Sequence, residues 1–438
     1  MFDTVTSARA LMGTALGFHI LFATVGIGLP PLLFAAEGLY LRTGKEMYRE
    51  MARRWAVVVG VLFAVGAVSG TILSFSFGLL WPSFTSFSGG IIGLPFFLEG
   101  FAFFTEAIFL GLYLYGWNKL SPKAHWLTTI PIAVAALASA FFIISANSWM
   151  NQPTGFDIVN GVVTNVNPTA AMLTNRAFPY EFVHGALAAY VALGLGVAGI
   201  YALAMLRGDR SDYNKKALML GLGLAAVFAP LQVVSGDLSA REVAHNQPEK
   251  FASMEGQFVT QRGAPLRIGG IPFPGDHETK FAIEIPKLAS ILAFEHADAE
   301  IKGLDSFPQD EIPNVWLGHF PFQIMVALGF IFVGVSALFW GHVWWKKRVD
   351  PPRLLLAILV LMGVLGFFAI EMGWFVTEFG RQPWMIYHVM RTEGGATPRS
   401  GIWVLLVLFG IVYVALAVGL AGVLLLQQRG RTKTARTE

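Results

Sequence analysis

Nine apolar runs constrain the fold of this chain more than any other feature of its sequence. Each run is long enough to cross a bilayer, which takes about 20 residues of α-helix. Because lipid offers no hydrogen-bond partner to an exposed backbone, we expect every run to be a helix. The sequence therefore predicts an all-α, polytopic membrane helical bundle, with runs at approximately residues 10–40, 55–79, 92–117, 127–147, 181–206, 215–236, 316–344, 353–378 and 401–427.

Composition supports the same interpretation. Of the 438 residues, 55% are hydrophobic and 13% are charged, whereas soluble domains carry about 25% charged residues. The chain has no cysteine, which excludes disulfides, iron–sulfur clusters and thiolate-bound metals. The small excess of basic residues lies in short loops and does not indicate a nucleic-acid partner. We predict no cleavable signal peptide, because the first apolar run continues directly into a span.

Basic residues collect after every second run and predict the orientation of the chain in the membrane. The connection around Trp81–Gly90, by contrast, holds no charge. By the positive-inside rule, the N-terminus lies outside and the C-terminus lies in the cytoplasm. The basic clusters are Arg42–Arg54, Lys119–Lys123, Arg207–Lys216, Lys346–Arg353 and Arg429–Arg436.

One connection is far longer than the others and divides the chain into three parts. Residues 1–236 hold helices one to six, residues 237–313 form an external loop, and residues 314–438 hold helices seven to nine and a cytoplasmic tail. Long loops are uncommon unless they are functional or disordered. We expect partial order and a binding role for this loop, because it carries apolar anchors at Phe251, Phe258, Ile283 and Phe294.

A few ionisable residues lie inside the apolar runs, where each ionised carboxylate costs roughly 2.5–3.5 kcal/mol on insertion scales. No Lys or Arg is placed deep in any run, so these groups have no evident cationic partner in the sequence. A ferric haem, a bound cation or a shuttled proton would compensate for them. The residues are His19, Glu99, Glu106, His184, Glu371 and Glu378.

The glutamates occur as two pairs with the same spacing. Glu99 and Glu106 are seven residues apart, which on a helix places them roughly 20° apart in azimuth and about 10 Å apart along the axis. The same holds for Glu371 and Glu378. A line of carboxylates on one helical face suits proton relay through a bilayer. The alternative is that each acid is hydrogen-bonded to neighbouring Ser, Thr and Trp side chains.

Two histidines and one methionine are candidate haem ligands. His19 has small residues on its own face, at Ala15 and Ala23, which leave room for a flat macrocycle. His184 and Met325 would form a His–Met axial pair, which makes a haem six-coordinate and suited to electron transfer. A lone buried His or Met is more often a core residue than a ligand. The predicted topology nevertheless places these residues, and Glu378, in the outer halves of their spans.

Several motifs, in this order along the chain, resemble those of subunit I of the cytochrome bd-type quinol oxidases. The resemblance covers nearly the whole chain and includes a segment similar to the start of that family's quinol-binding loop. The motifs are FHILFA around His19, EGFAFFTE at Glu99–Glu106, YEFVHG around His184, KFASME at Lys250–Glu255, FQIMV around Met325, WFVTE at Trp374–Glu378 and GRQPW at Gly380–Trp384.

The resemblance implies a terminal respiratory oxidase of the bacterial cytoplasmic membrane. Such an enzyme oxidises a membrane quinol at the external side and reduces O₂ to water with protons taken from the cytoplasm, without pumping. It implies three haems in this subunit: a low-spin haem b, a high-spin haem b, and a haem d or a third haem b. It also implies a second large membrane subunit, with or without a small single-span one.

The resemblance also assigns ligands to the haems. His184 and Met325 would ligate the low-spin haem b. His19 and Glu378 would each ligate one of the two high-spin haems. Trp374 would lie beside the haems and carry an electron between them.

The remaining implied roles concern protons, charge and quinol. Glu99 and Glu106 would deliver protons to the oxygen site. Arg381 would lie beside the haems, and Lys250 and Glu255 would contact quinol or stabilise its loop.

The sequence departs from the family pattern in two places. Its external loop resembles the shorter form of the quinol loop. Many members carry a basic residue where this chain has Gln323, two residues before Met325. Losing that positive charge should lower the potential of the nearby haem. A redox titration of Gln323→Arg should therefore show an upward shift, and an unchanged potential would count against this interpretation.

Two other functions remain open from the residues alone. The first is a haem-bearing subunit that moves electrons between quinone and a partner enzyme without oxygen chemistry. The second is a proton- or cation-coupled transporter that uses the glutamate pairs, which predicts no bound haem.

Overall fold

The computed structural model describes residues 3–434, and helices dominate that part of the chain. Where the apolar runs were predicted, long helices form. The helices are α1 (Thr4–Thr43), α2 (Glu46–Leu80), α3 (Pro82–Tyr115), α4 (Pro122–Leu127), α5 (Thr129–Asn151), α6 (Pro168–Leu173), α7 (Ala177–Leu206), α8 (Asp212–Asn246), α9 (Pro248–Glu255), α10 (Leu288–Phe294), α11 (Val315–Lys346), α12 (Arg353–Gly380), α13 (Thr392–Gly395) and α14 (Ile402–Thr434).

Nine helical segments within residues 3–434 are long and apolar enough to cross a membrane, which confirms the predicted number. The fourth of them joins α4 and α5 into one segment, Pro122–Asn151. The uncharged connection at Trp81–Gly90 was predicted as a loop, and this was wrong. Trp81 is a single residue between helices, and Pro82 begins α3. Proline is well suited to the first helical position because it has no N–H to satisfy there.

The described residues form two compact units. One comprises Ser88–Phe103 and Ala135–Thr392, and the other comprises the chain up to Phe87, Phe104–Val134 and the residues from Glu393 onward. In the first unit, α7, α8, α11 and α12 pack side by side around a buried apolar core. Glycines allow close approach there, since a Cβ at Gly199 would lie 3.1 Å from Gly363 Cα. In the second unit, α1 packs against α2, α4 and α14.

The long connection is ordered. It begins later than predicted, because α8 continues to Asn246, and it ends where Asn314 caps α11 by accepting from the backbone N–H groups of Trp316 and Leu317. After α9 the chain forms short antiparallel ribbons and a helical turn at Leu304–Ser306. The strands of these ribbons are β3 (Gln261–Arg262), β4 (Leu266–Ile268), β5 (Ile271–Phe273), β6 (Glu278–Lys280), β7 (Ile283–Ile285) and β8 (Glu300–Ile301). Outside the loop, β1 (Asp157–Val159) and β2 (Val162–Thr164) form a hairpin before α6. After α12, the chain forms β9 (Trp384–Ile386) and β10 (Met390–Arg391).

Three of the four predicted loop anchors are packed. Phe251 and Phe258 are buried, and Phe294 packs against the cluster that contains Phe251. The fourth, Ile283, is 69% exposed, so its prediction as an anchor was wrong. Ile283 pairs with Ile268 in a two-stranded ribbon, which has no second layer to cover it.

Candidate functional site

Glu378, near the C-terminal end of α12, lies between an amide and a guanidinium. Its Oε1 accepts from Asn147 Nδ2 at 2.7 Å, and its Oε2 accepts from Arg381 Nη2 at 2.6 Å. The side chain of Arg381 is only 3% exposed. The sequence indicated no cationic partner for this acid, and the structure corrects that. The turn after α12 folds Arg381 back onto Glu378.

Lys250 joins the same region from α9. Its Nζ donates to Gln247 Oε1 at 3.4 Å, Gln247 Nε2 donates to Asn151 Oδ1 at 3.3 Å, and Asn151 Nδ2 donates to Glu181 Oε1 at 3.0 Å. The lysine stem lies against Gly380, where a Cβ would stand 2.9 Å from two of its carbons. Burial lowers the pKa of Lys250 to about 8, and the neighbouring carboxylate of Glu181 opposes that shift. This buried chain therefore connects the loop to the helix ends around Glu378.

Glu255, at the end of α9, is also buried. Its Oε2 has no hydrogen-bond partner among the described residues. Burial raises the pKa of Glu255 to about 7, and the positive charge of Arg267 opposes that shift. The structure thus buries both residues that were predicted on the quinol-binding segment, Lys250 against Gly380 of α12 and Glu255 at the end of α9.

His184 is held by the helix that faces it. Its Nδ1 is 3.1 Å from Ser235 Oγ on α8, and that hydroxyl donates to the Gln232 carbonyl at 3.0 Å. With the Ser235 proton on that carbonyl, the hydroxyl accepts from the ring, Nδ1 carries the imidazole proton and the lone pair is on Nε2. The Gln232 side-chain nitrogen lies 3.0 Å from Nε2 and 3.2 Å from Nδ1, so a metal bound at Nε2 would displace this amide. Metal-ligating histidines commonly donate their other ring N–H in this way.

His19 is held by the same arrangement in the other unit. Its Nδ1 is 3.0 Å from Ser69 Oγ on α2, and Ser69 donates to the Gly66 carbonyl at 3.0 Å. By the same argument, the lone pair of this imidazole is on Nε2. The same hydroxyl contact at Nδ1 thus favours, in both predicted histidine ligands, the tautomer that binds metal through Nε2.

A short repeated motif produces both arrangements, and the sequence analysis missed it. Val68-Ser69-Gly70 and Val234-Ser235-Gly236 have the same residues in the same order. The glycine after each serine makes room for the ring. A Cβ at Gly70 would lie 2.9 Å from His19 Cε1, and one at Gly236 would lie 3.2 Å from His184 Cε1. A search for the same triplet opposite each apolar-helix histidine would have found these serines.

Met325 lies on α11 against α12. A Cβ at Gly373 would lie 3.2 Å from its sulfur, so the glycine allows the thioether to approach the helix backbone. Met325 also packs beside a small cluster of Met254, Phe322 and Val376. Two residues earlier, Gln323 accepts from the Gly269 N–H and donates to the Arg267 carbonyl, each at 3.0 Å. The same stretch of α11 thus holds the candidate ligand and, on another side of the helix, the loop.

The predicted proton-delivery residues both lie on α3. Glu99 Oε1 accepts from Ser139 Oγ at 3.0 Å. Glu106 is buried, and its Oε1 would be 3.4 Å from a Cβ at Gly26 on α1. Trp374 is half-buried on α12, one turn before Glu378.

Buried donors without partners surround the Glu378 region. Arg381 Nε and Nη1, and Trp384 Nε1, make no hydrogen bond to any described residue. An unmade hydrogen bond at a buried donor costs about 1–3 kcal/mol, and more for a charged group. These donors suit an anionic, carboxylate-bearing group such as a haem propionate. With the two oriented imidazoles, the thioether and the glutamate, the residues present fit haem.

Comparison with known proteins gives a consistent result. The family model for cytochrome bd terminal oxidase subunit I matches residues 7–431. The chain belongs to this family. A Bacillus subtilis (strain 168) protein provisionally named cytochrome bd menaquinol oxidase subunit I is 38% identical over 429 residues, which are 97% of this chain and 96% of that one. The cytochrome bd ubiquinol oxidase subunit 1 of the same organism is 31% identical over 427 residues, 93% and 90% of the two chains.

A solved structure agrees with the fold. The bd oxidase from Geobacillus thermodenitrificans superposes with a TM-score of 0.92 at 39% identity, covering 98% of this chain and 99% of that one. As a cytochrome bd subunit I, this chain is a multi-pass component of a multi-subunit quinol oxidase in the bacterial cytoplasmic membrane, with haem cofactors and quinol as substrate. This confirms the fold class, the enzyme class and the location that were predicted from the sequence.

Proposed function

We propose that this subunit oxidises a membrane quinol at its external side and supports the reduction of O₂ to water at a high-spin haem. Two quinols supply the four electrons that one O₂ requires and release four protons outside. Four other protons, taken from the cytoplasm, complete two molecules of water. No proton is pumped in this scheme. The observation that carries it is the pair of half-buried imidazoles, His19 and His184, each with its Nδ1 beside a serine hydroxyl, which leaves Nε2 as the nitrogen that would bind a metal.

The low-spin haem b would be held by His184 and Met325. Ser235 keeps the His184 ring oriented, and Gly373 gives Met325 room beside α12. Two protein ligands leave no open coordination position, which suits electron transfer. The high-spin haems, a haem b and a haem d or third haem b, would each take one ligand, His19 or Glu378. When bound, haem supplies an iron that carries single electrons and, with a position left open, binds O₂.

Glu378 has two further tasks in this proposal. As a carboxylate it would offset the positive charge of a ferric iron in a low-dielectric site. Its present partners, Asn147 and Arg381, orient it through hydrogen bonds. The two unpartnered donors of Arg381 would hold an anionic edge of the same cofactor. Trp374, on the same helix, would conduct electrons between haems.

Quinol oxidation would take place beside the loop proposed as external, residues 237–313. Lys250 and Glu255 begin it, and the buried network that starts at Lys250 reaches Asn151 and Glu181. We infer that Lys250 stabilises the loop and places its positive charge close to Glu378. We also infer that Glu255 accepts a proton on the side where quinol binds. Glu99 and Glu106 would carry protons from the cytoplasm to the oxygen site, with the N-terminus outside.

A carbon monoxide difference spectrum tests this function on the purified complex with its second large subunit. Only a haem with an open position binds the gas, so a reduced sample should change its spectrum when carbon monoxide is added. Met325→Leu should convert the low-spin signal to high-spin, and Glu378→Ala should remove a high-spin signal together with oxidase activity.

The alternatives give different outcomes. A subunit that only transfers electrons would contain haem but show no change with carbon monoxide, and a transporter would contain no haem at all. An unchanged low-spin spectrum in Met325→Leu would exclude that residue as a ligand.

A further inference from the structure

A buried acid–imidazole pair lies outside the residues assigned so far. Glu37, near the end of α1, and His125, on α4, are each 2% exposed. His125 Nδ1 is 2.7 Å from Glu37 Oε1, and His125 Nε2 is 2.8 Å from the carbonyl oxygen of Tyr113 on α3. Both contacts of the ring are with acceptors. When both are hydrogen bonds, the ring carries two protons and is an imidazolium paired with a carboxylate.

The surroundings hold this ring in place. The Tyr113 ring is 4.4 Å from the His125 ring and the Trp117 ring is 4.1 Å from it, between centroids. A Cβ at Gly116 would collide with the Leu112 carbonyl oxygen and lie 3.3 Å from His125 Cδ2, so the backbone and the ring both approach this glycine closely. The Arg53 guanidinium lies 5.3 Å from the centre of the Trp117 ring.

The Tyr113 hydroxyl lies close to the Glu37 carboxylate. Both groups are buried, and they are near enough to interact with each other. The carboxylate therefore has the His125 ring on one side, at Oε1, and the Tyr113 hydroxyl as a second neighbour. An acid between an imidazole and a hydroxyl can accept a proton from the first and pass one to the second.

The cluster is aligned with Glu106. Tyr113 follows Glu106 by seven residues on α3, so the two lie on one face, about 10 Å apart along the axis. On α1, Gly26 lies against Glu106, and Glu37 follows Gly26 by eleven residues, roughly three turns further along the same face. Facing surfaces of α1 and α3 thus contain Glu106 at one level and the cluster nearer the helix ends.

The other end of the cluster is close to water. His125 lies two residues after Lys123, which is exposed, and Lys119 in the same connection is also exposed. Ser121 caps α4 there by accepting from the Ala124 N–H at 3.3 Å. This connection holds the basic residues that the proposed topology places in the cytoplasm.

We propose that Glu37, His125 and Tyr113 form the entrance of the proton path that supplies Glu106. This inference rests on the proton-delivery role proposed above for Glu106. In the first step the N–H bond at His125 Nδ1 breaks and an O–H bond forms at Glu37 Oε1, so the ion pair becomes two neutral groups and the total charge is unchanged. The hydrogen bond from His125 Nε2–H to the Tyr113 carbonyl is kept throughout this step.

The later steps restore the starting state. Glu37 passes a proton to the Tyr113 hydroxyl, whose own proton moves toward Glu106 through a water chain, because the remaining distance is too long for one hydrogen bond. For this the Glu37 carboxyl group turns toward Tyr113, which frees His125 Nδ1 to take a new proton that enters from the Lys119–Lys123 connection. No oxidant or reductant takes part.

Proton uptake by the purified oxidase complex tests the proposal directly. A pH-indicator dye reports uptake when the fully reduced enzyme reacts with a pulse of O₂. Glu37→Gln keeps the size and one acceptor but cannot carry the proton, so uptake should slow by at least about tenfold. Haem content and the optical spectrum should be unchanged, and the solvent deuterium isotope effect should rise. Tyr113→Phe should do the same, since only the hydroxyl is lost.

Matched variants make the outcomes distinguishable. Glu46→Gln removes an exposed acid at the start of α2 and should leave uptake unchanged. Normal uptake and isotope effect in haem-replete Tyr113→Phe and Glu37→Gln would overturn the proposal. If the Glu37→Gln complex fails to assemble, proton uptake in Tyr113→Phe alone tests the proposal. If Glu106→Gln is slow while both cluster variants are normal, only this inference fails, whereas normal uptake in Glu106→Gln would refute the proton role of Glu106 itself.

Discussion

At the scale of single residues, two serine hydroxyls favour the tautomer of two half-buried imidazoles in which Nε2 carries the lone pair. Ser69 and Ser235 each donate to the carbonyl three residues earlier, so each must accept from a histidine Nδ1. The hydrogen bond from Nδ1–H makes Nε2 a stronger donor toward a metal. These serines are positioning residues, and the glycine after each serine makes room for the histidine ring.

Replacing one of these serines should alter the low-spin haem. In Ser235→Ala the His184 Nδ1–H loses its acceptor, so Nε2 becomes a weaker ligand and the ferric state is less stabilised. The midpoint potential of the low-spin haem should rise, on the order of tens of millivolts, as measured by spectroelectrochemical titration. Ser239→Ala, one turn further along α8, is the matched control. Equal potentials in the two variants would contradict this role for Ser235.

Glu255 provides a pH-dependent test at the same scale. Burial raises its pKa from 4.5 to about 7. Between those values the folded protein keeps a proton that the unfolded chain has released, so stability falls as pH rises, by up to about 3 kcal/mol. The loop should therefore exchange its amide hydrogens faster, relative to the intrinsic rate, at pH 8 than at pH 6.

The Glu255 experiment has a simple control. Glu255→Gln cannot ionise and should abolish the difference between pH 6 and pH 8, while the exposed Glu278→Gln should keep it. If the difference in amide exchange between pH 6 and pH 8 persists unchanged in Glu255→Gln, another ionisable group causes it.

At the scale of elements, the first turns of α11 determine where the long loop before this helix lies. His319 is fully buried, with Nδ1 2.9 Å from the Met254 carbonyl and Nε2 3.2 Å from the Gly269 carbonyl. Gln323 binds the backbone of the same loop. Gly256 ends α9 with a φ of +61°, and a Cβ there would lie 2.5 Å from Thr279 Oγ1, so only glycine fits. The helix that carries Met325 thus also organises the proposed quinol-binding segment.

The contact between α11 and α12 gives a prediction for the methionine. In Gly373→Ala the added methyl group would lie 3.2 Å from the Met325 sulfur and push it away from α12. We expect part of the low-spin haem to become high-spin, seen in the optical and electron paramagnetic resonance spectra. Gly334→Ala on α11 has open space around its Cβ and serves as control. A fully low-spin spectrum in Gly373→Ala would mean that haem ligation does not depend on the position of the Met325 sulfur beside Gly373.

At the scale of the whole molecule, the helices were predictable because their signal is local. Runs such as 353–378 and 401–427 are too apolar for water, and lipid permits only helices, so length alone predicted nine spans. Candidate ligands such as His19 and Glu378 were also predictable, since an ionisable group in such a run requires a reason. The burial of Lys250 was not predictable, because it depends on α9 folding against Gly380, far away in the sequence.

Other parts of the site required three-dimensional contacts. Nothing in the sequence pairs Glu37 with His125, which are separated by two apolar runs. Ser69 and Ser235 are ordinary helix serines until the ring opposite each one is known. Trp81–Gly90 was misassigned because it lay between the apolar runs 55–79 and 92–117, whereas Pro82 begins a helix there.

The central claim is that the buried acids and imidazoles of this subunit hold iron porphyrins. A pyridine haemochrome assay on the intact, active complex measures haem per polypeptide most directly. We predict three haems for each copy of this chain, with fewer in His184→Ala and Glu378→Ala. A colourless complex, or a haem count that these variants leave unchanged, would contradict the account.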